Sequence, residues 1–398
     1  MAGISFKASA TRGQKSLDFD LGPELRLVQE TVRRFVDSEL IPVEMQPDLG
    51  DNITAERYAQ FHARVKAMGL WQFDVPERFG GSGLGLLARC VIQEEIGRTK
   101  ALPFRHNELF GPIGSPVLYH CQGEQVERFL MPVLRGEQKV CFAQTEPDAG
   151  SDPAGMRTTA VRDNDWYVIN GTKRFITNAH LADFAQVIAL TDPEKRAHGG
   201  ITAIIVPMKT PGLALVRADH TLMGDEPWEI HFKDVRVPVA NRIGEEGQGF
   251  SIAQEWLTVN RIKIHGAYPV GIARRALEMA TAYAKVRKTF GQPLAERQVI
   301  QFMIADSAME IEAARLLVLS TAWQFDQGLD VRDRSYMVKV VCTEMASRVV
   351  DRAIQIHGGV GLTTDLPLEY WYRQLRSIRI TEGATEVLRW RLARSLLA

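Results

Sequence analysis

Net charge is what this sequence most plainly lacks: 48 Lys and Arg stand against 48 Asp and Glu over 398 residues. A protein that coats nucleic acid needs a basic excess, so that role is disfavoured, and only a local basic patch stays open. Cysteine is scarce. The four, Cys90, Cys121, Cys141 and Cys342, are far apart and make no C-x-x-C pair. Neither a disulfide framework nor a metal site is expected, and a reducing compartment suits the chain. No apolar run reaches the roughly 18 residues that a membrane-spanning helix needs. Acids are missing from Met1 to Lys15, where Lys7, Arg12 and Lys15 sit among Ser and Thr. With a single Arg, that stretch reads better as a disordered tail, residues 1–21, than as a transit peptide. What is present is ordinary for a globular protein: 45% hydrophobic and 24% charged residues. The length exceeds what one compact core usually holds, so two or three domains are expected.

Three zones divide the chain. From 22 to 140 the period is helical: Leu25, Val28, Val32, Phe35 and Val36 recur at three- and four-residue steps. TAERYAQFHARVKAMGL and GEQVERFLMPVLRG read the same way. Between them Gly80, Gly81, Gly83 and Gly85 crowd together without a preceding strand, which suits a loop between helices better than a phosphate loop. From 141 to 250 the period becomes two. WYVI, Asn170-Gly171 and TKRFIT predict a hairpin with its turn at Asn-Gly, and FAQVIAL, ITAIIVPM, LALVRA and EIHFKDVRV predict further strands. From 251 to 398 long Ala- and Leu-rich stripes return, such as Ile272, Ala276, Leu277, Ala280 and Ala284, and predict a four-helix bundle. The expected fold is a multi-domain α+β chain: N-terminal helical domain, middle β domain, C-terminal helical bundle.

Five segments carry candidate chemistry. In CFAQTEPDAGSD, Pro147, Asp148, Gly150 and Ser151 force a tight turn that exposes N–H groups and hydroxyls. It fits either a capped β-turn or a loop that grips a heteroaromatic edge or a phosphate. In Phe175-Ile176-Thr177-Asn178, alternation puts Phe175 and Thr177 on one side of a strand, where ring and hydroxyl suit a flat cofactor. Arg287-Lys288-Thr289-Phe290-Gly291 closes a long helix that begins near Pro269, as a phosphate clamp or a solvated helix end. Gln355-Ile356-His357-Gly358-Gly359-Val360-Gly361 ends another helix, and His357 reads as structural. Last comes Arg379-Ile380-Thr381-Glu382-Gly383-Ala384-Thr385-Glu386, before a helix with Val387, Leu388, Leu392 and Leu396 on its apolar face. Gly383 is a candidate cap, Glu386 suits the first turn, and Glu382 is either a capping charge or, once desolvated, a base.

These segments, in this order and over roughly residues 22 to 398, resemble the acyl-CoA dehydrogenase family. TEPDAGSD is similar to its flavin loop, FITN to its flavin-stacking strand, RKTFG to its pyrophosphate site, QIHGGVG to its adenine-side loop and TEGATE to its catalytic-base segment. The resemblance implies FAD as cofactor, an acyl-CoA substrate, an electron-transferring flavoprotein as partner and a homotetramer. It implies that Phe142, Gln144 and Thr145, with Gly150 and Ser151, hold the flavin side, and that Phe175, Ile176 and Thr177 lie against the ring. Arg287, Thr289, Phe290, Arg297, Gln298, Gln355, Gly358 and Gly359 would serve a neighbouring subunit's FAD, and Thr385 and Glu386 would lie near the bound FAD. Ser151 would face the CoA, Arg261 and Gly383 would lie at the substrate, and Glu382 would take the α-proton while the β-hydrogen leaves as hydride to flavin N5. A cytoplasmic location in a bacterium is implied, or the mitochondrial matrix in a eukaryote.

The sequence departs from the family's pattern in places. Some members carry the base just before the equivalent of Arg261, and here Asn260 closes that option. Ala384 replaces a cofactor-bonding Thr, which turns attention to Thr385, and Phe175 replaces a commoner Trp. The stretch from Arg261 to Gly271 is one residue longer than in straight-chain enzymes. The segment 102–111 is expected to help shape the acyl pocket. Two alternatives remain: an acyl-CoA oxidase or same-fold flavin monooxygenase, and a non-catalytic flavin- or DNA-binding relative.

Overall fold

The computed structural model describes residues 21–73, 75–103, 109–111 and 116–398. The expected tail up to residue 20, and residues 104–108 of the expected pocket segment, lie outside them. The first zone folds as α1 (Pro23–Phe35), α2 (Ala55–Ala67), α3 (Gly85–Ile96) and the short α4 (Met131–Leu134). The α1 stripe points inward, with Val32, Phe35 and Val36 buried. Thr54 caps α2 by accepting the Arg57 N–H at 3.3 Å. Gly80, Gly81 and Gly83 lie in the loop between α2 and α3, and Gly85 opens α3.

The strands are β1 (Val140–Ala143), β2 (Thr159–Asp163), β3 (Trp166–Ile176), β4 (Phe184–Leu190), β5 (Ile201–Pro207), β6 (Leu213–Ala218), β7 (Trp228–Pro238) and β8 (Arg242–Ile243). They form one sheet in the order β6-β7-β3-β2-β4-β5-β8, with β1 parallel to β4. All seven β4 residues are buried, because both faces of this strand are covered. Phe184, Ile188 and Leu190 meet the helices, whereas Ala185, Val187 and Ala189 meet the core that β3 and β7 share.

The expected hairpin is corrected. Its turn is Asn164-Asp165, with Asn164 at φ +54° and Asp163 paired to Trp166, while β3 runs straight through Asn170-Gly171. There the pairing with β7 slips, and the Asn170 carboxamide oxygen accepts the Asp234 N–H at 2.9 Å. Gly171 is needed for close approach, since a Cβ would stand 2.6 Å from the Thr158 Cα. Asn-Gly favours both devices, and only the partner strand decides between them.

The last zone holds α5 (Gly249–Ile262), a π-turn (Lys263–Ala267), α6 (Tyr268–Val286), α7 (Gln298–Asp326), α8 (Arg332–His357), α9 (Leu368–Ile378) and α10 (Thr385–Leu397). Helices α1, α2 and α3 share a single hydrophobic core with α6, α7, α8 and α9. Two buried acids pin the halves together. Glu95 accepts from Arg33 at 2.9 and 3.1 Å and from Arg274 at 3.3 Å, and Glu94 accepts from Arg315 at 2.9 and 3.0 Å. Burial pushes the Glu95 carboxyl up, but Arg33 and Arg274 hold it below the ordinary value. On α10 the expected apolar face is only partly used: Leu388 is buried and Leu396 is exposed, because the helix end projects beyond the core. Among the described residues no helix is long and apolar enough to cross a membrane.

Candidate active site

The turn between α9 and α10 presents Glu382 with φ +56°. That conformation costs a non-glycine residue about 1–3 kcal/mol and needs outside support. Two buried cations supply it. The Lys339 ammonium donates to the carbonyls of Thr381 and Gly383, and Arg261 Nε donates to the carbonyl of Glu382 at 3.1 Å. Three successive carbonyls are thus held by buried donors. Gly383, a candidate cap, stands one residue too early: Ala384 is the N-cap of α10, and Glu386 occupies its first turn as expected.

The Glu382 side chain is 19% exposed. Asn260 Nδ2 donates to its Oε1 at 3.0 Å, and His265 Nδ1 stands 3.5 Å from its Oε2. Asn260, where the family resemblance places an alternative base, thus faces Glu382 directly. Burial raises the Glu382 pKa, while the Asn260 bond and the charges of Lys339, Arg261 and Lys263 oppose that rise. Lys339 goes the other way: burial pushes it down to about 7, although Glu382 pulls it up. A buried carboxyl with a raised pKa and a fixed backbone is equipped to accept a proton.

A second group gathers where β1 meets β3. Phe142 lies 4.4 Å from Trp256 of α5, and the side-chain oxygen of Gln144 is buried without a partner among the described residues. Lys173, fully buried, donates to the Gln144 carbonyl at 2.9 Å and to Glu146 at 2.8 Å, which ties the TEPD turn to β3. Thr145 accepts the Arg174 N–H at 2.8 Å. Phe175 does not follow regular strand alternation with Thr177. It has φ +58° where the pairing slips, its ring is 50% exposed, and the Arg174 guanidinium stands 4.7 Å over it. Ile176 is buried, whereas Gly150 and Ser151 are exposed. An unsatisfied buried amide oxygen beside an open aromatic face fits a flat polar ring such as the flavin of FAD. Thr385 is buried, and its hydroxyl donates to Glu386 at 3.3 Å.

The third group lies elsewhere. Arg287 ends α6, Phe290 is 98% exposed with φ +49°, and Arg297, just before Gln298 opens α7, donates to the Thr289 carbonyl at 2.8 Å. His357 stacks on Tyr283 at 4.6 Å and bonds the Ala353 carbonyl, which makes it structural and places Gln355, Gly358 and Gly359 beside the end of α6. Sixteen residues of α8 separate Lys339 from Gln355, about 24 Å along the axis.

Sequence reasoning missed Lys339, His265, Lys173 and Glu146. A lysine inside the apolar run Tyr336-Met337-Val338-Lys339-Val340-Val341 was the one available signal; its partners lie about forty residues on.

Family models describe the chain along nearly its whole length. Those of the acyl-CoA dehydrogenase N-terminal, middle and C-terminal domains match residues 22–137, 141–235 and 247–397. The (R)-benzylsuccinyl-CoA dehydrogenase of Thauera aromatica is 37% identical over 397 residues, 96% of this chain and 97% of that one. The caffeyl-CoA reductase-Etf complex subunit CarC of Acetobacterium woodii is 36% identical, covering 91% and 95% of the two chains. The structure of butyryl-CoA dehydrogenase from Megasphaera elsdenii superposes with a TM-score of 0.84 at 32% identity, over 96% of this chain and 100% of that one. With Glu382 at its centre and three matching domains around it, the chain belongs to the acyl-CoA dehydrogenase family, whose members are FAD-dependent oxidoreductases.

Proposed function

We propose that Glu382 is the base of an FAD-dependent acyl-CoA dehydrogenation that yields the trans-2-enoyl-CoA. The observation that carries the assignment is a buried carboxyl of raised pKa, fixed at its backbone by Lys339 and Arg261 and at Oε1 by Asn260. FAD, when bound, supplies the hydride acceptor for the β-hydrogen. The chain's own residues do the rest. Glu382 takes the α-proton, and its backbone N–H steadies the thioester oxygen as charge develops there. Phe142, Gln144, Thr145, Phe175 and Thr177 hold the ring side, and Ser151 meets the CoA. An electron-transferring flavoprotein collects the electrons. Replacing Glu382 by Gln should slow anaerobic flavin bleaching by an acyl-CoA about 10²- to 10⁴-fold. Bleaching at the wild-type rate overturns the assignment.

The third group serves a second copy of the chain. Its distance along α8 from the Glu382 turn, and the fully open Phe290, support a site completed across a subunit contact. Phe302, Met309, Leu316 and Trp323, seven residues apart on α7, are exposed and form the stripe that such a contact covers. The assembly is a homotetramer.

A further inference from the structure

The extra residue between Arg261 and Gly271 has a structural counterpart in the π-turn Lys263–Ala267, which closes with the Tyr268 N–H on the Lys263 carbonyl. A π-turn takes up one residue without breaking its helix. In a regular α-helix, residues five apart point about 140° away from each other around the axis. Asn260 and His265 are five apart, yet both face Glu382: Nδ2 of Asn260 donates to Oε1 at 3.0 Å, and Nδ1 of His265 stands 3.5 Å from Oε2 with no hydrogen bond between those two atoms. The His265 side chain is 3% exposed, and its Nε2 lies 3.2 Å from the Thr381 hydroxyl. Val338 of α8 and Val318 of α7 close over the neighbouring Gly266, which holds the π-turn backbone that carries the imidazole.

We propose that His265 is a positioning residue for the base, an inference that rests on Glu382 being that base. The Thr381 hydroxyl donates to Nε2, and the neutral ring then aims its Nδ1–H at Oε2 while Asn260 holds Oε1. Closing the 3.5 Å gap to Oε2 as substrate binds then fixes the carboxylate in plane and direction. The titratable groups that face the pair are Arg261 and Lys263 on the same stretch, Lys339 from α8 with Glu386 of α10 acting on it, and Arg89 on α3 beyond Lys263.

The test uses FAD-loaded His265→Leu, His265→Asn and His265→Gln, with Glu382→Gln as control. Each is measured for kcat, KM, the pH profile of kcat, and anaerobic exchange of the substrate's α-hydrogen with deuterium from solvent. In the Leu variant kcat should fall about 10- to 100-fold with KM within about twofold, exchange should slow in step, and the acid limb should move to higher pH. Asn, which offers an N–H near the place of Nδ1, should recover most of the rate, and Gln should not. A Leu variant with wild-type kcat and pH profile overturns the proposal. If Leu does not fold, Asn and Gln decide: equal rates overturn it, and Asn about tenfold above Gln supports it. Should Glu382→Gln keep its rate, the base assignment itself fails. If that control is dead while His265→Leu is normal, only the role of His265 fails.

Discussion

Lys339 touches the backbone on both sides of Glu382 and also faces its charge, so one side chain sets both the shape of the turn and the proton affinity of the base. Removing it has two separable effects. In Lys339→Met the carbonyls of Thr381 and Gly383 lose their buried donor, and the misplaced base should cost about 10- to 100-fold in kcat/KM. Without the ammonium, the Glu382 pKa rises further. The base must be unprotonated to work, so the acid limb of the pH–rate profile should move to higher pH. A profile measured from pH 5 to 9 checks the direction, and a limb that stays or moves down contradicts it. For Lys339 itself, burial lowers the folded pKa to about 7, whereas the unfolded chain keeps the ordinary value near 10.5. Between those two values the unfolded state binds more protons, so this lysine's contribution to stability grows as pH rises through the window.

Among the elements, the strands show what patterning reveals and what it hides. FAQVIAL became β4 because a short, unbroken apolar run suits a strand covered on both faces. Asn170-Gly171 misled because local chemistry favours a turn and a bulge alike, and Asn164-Asp165 took the turn. The turn that presents Glu382 was readable in TEGATE, since it lies in one short segment. Lys339 and His265 were not, since each acquires its role only when distant helices meet. The π-turn announced itself only as an extra residue. Its fit is tight: a Cβ on Gly266 would stand 2.4 Å from Cγ1 of Val338, a stiff β-branched neighbour. Gly266→Ala should therefore destabilise the protein by about 1–3 kcal/mol and lower kcat, because α8 and the Glu382 turn must shift together. Urea unfolding would show it, and an unperturbed midpoint would contradict this packing argument.

At the scale of the whole molecule, the open α7 stripe and the exposed Phe290 group are the surfaces that the proposed subunit contact would cover. Met309→Glu should split the assembly, to be seen as a lower mass in light scattering, and FAD content should fall with it. Loss of assembly with full FAD retention would refute the shared site. The core that joins α1–α3 to α6–α9 also bears on how the protein is made. Helix α3 ends at Ile96 and α6 begins only at Tyr268, so the first hundred residues leave the ribosome long before the surfaces that cover them exist. During synthesis that exposed apolar face needs a chaperone or a rapid ribosome, and a message truncated after the sheet should yield chain that aggregates or is degraded.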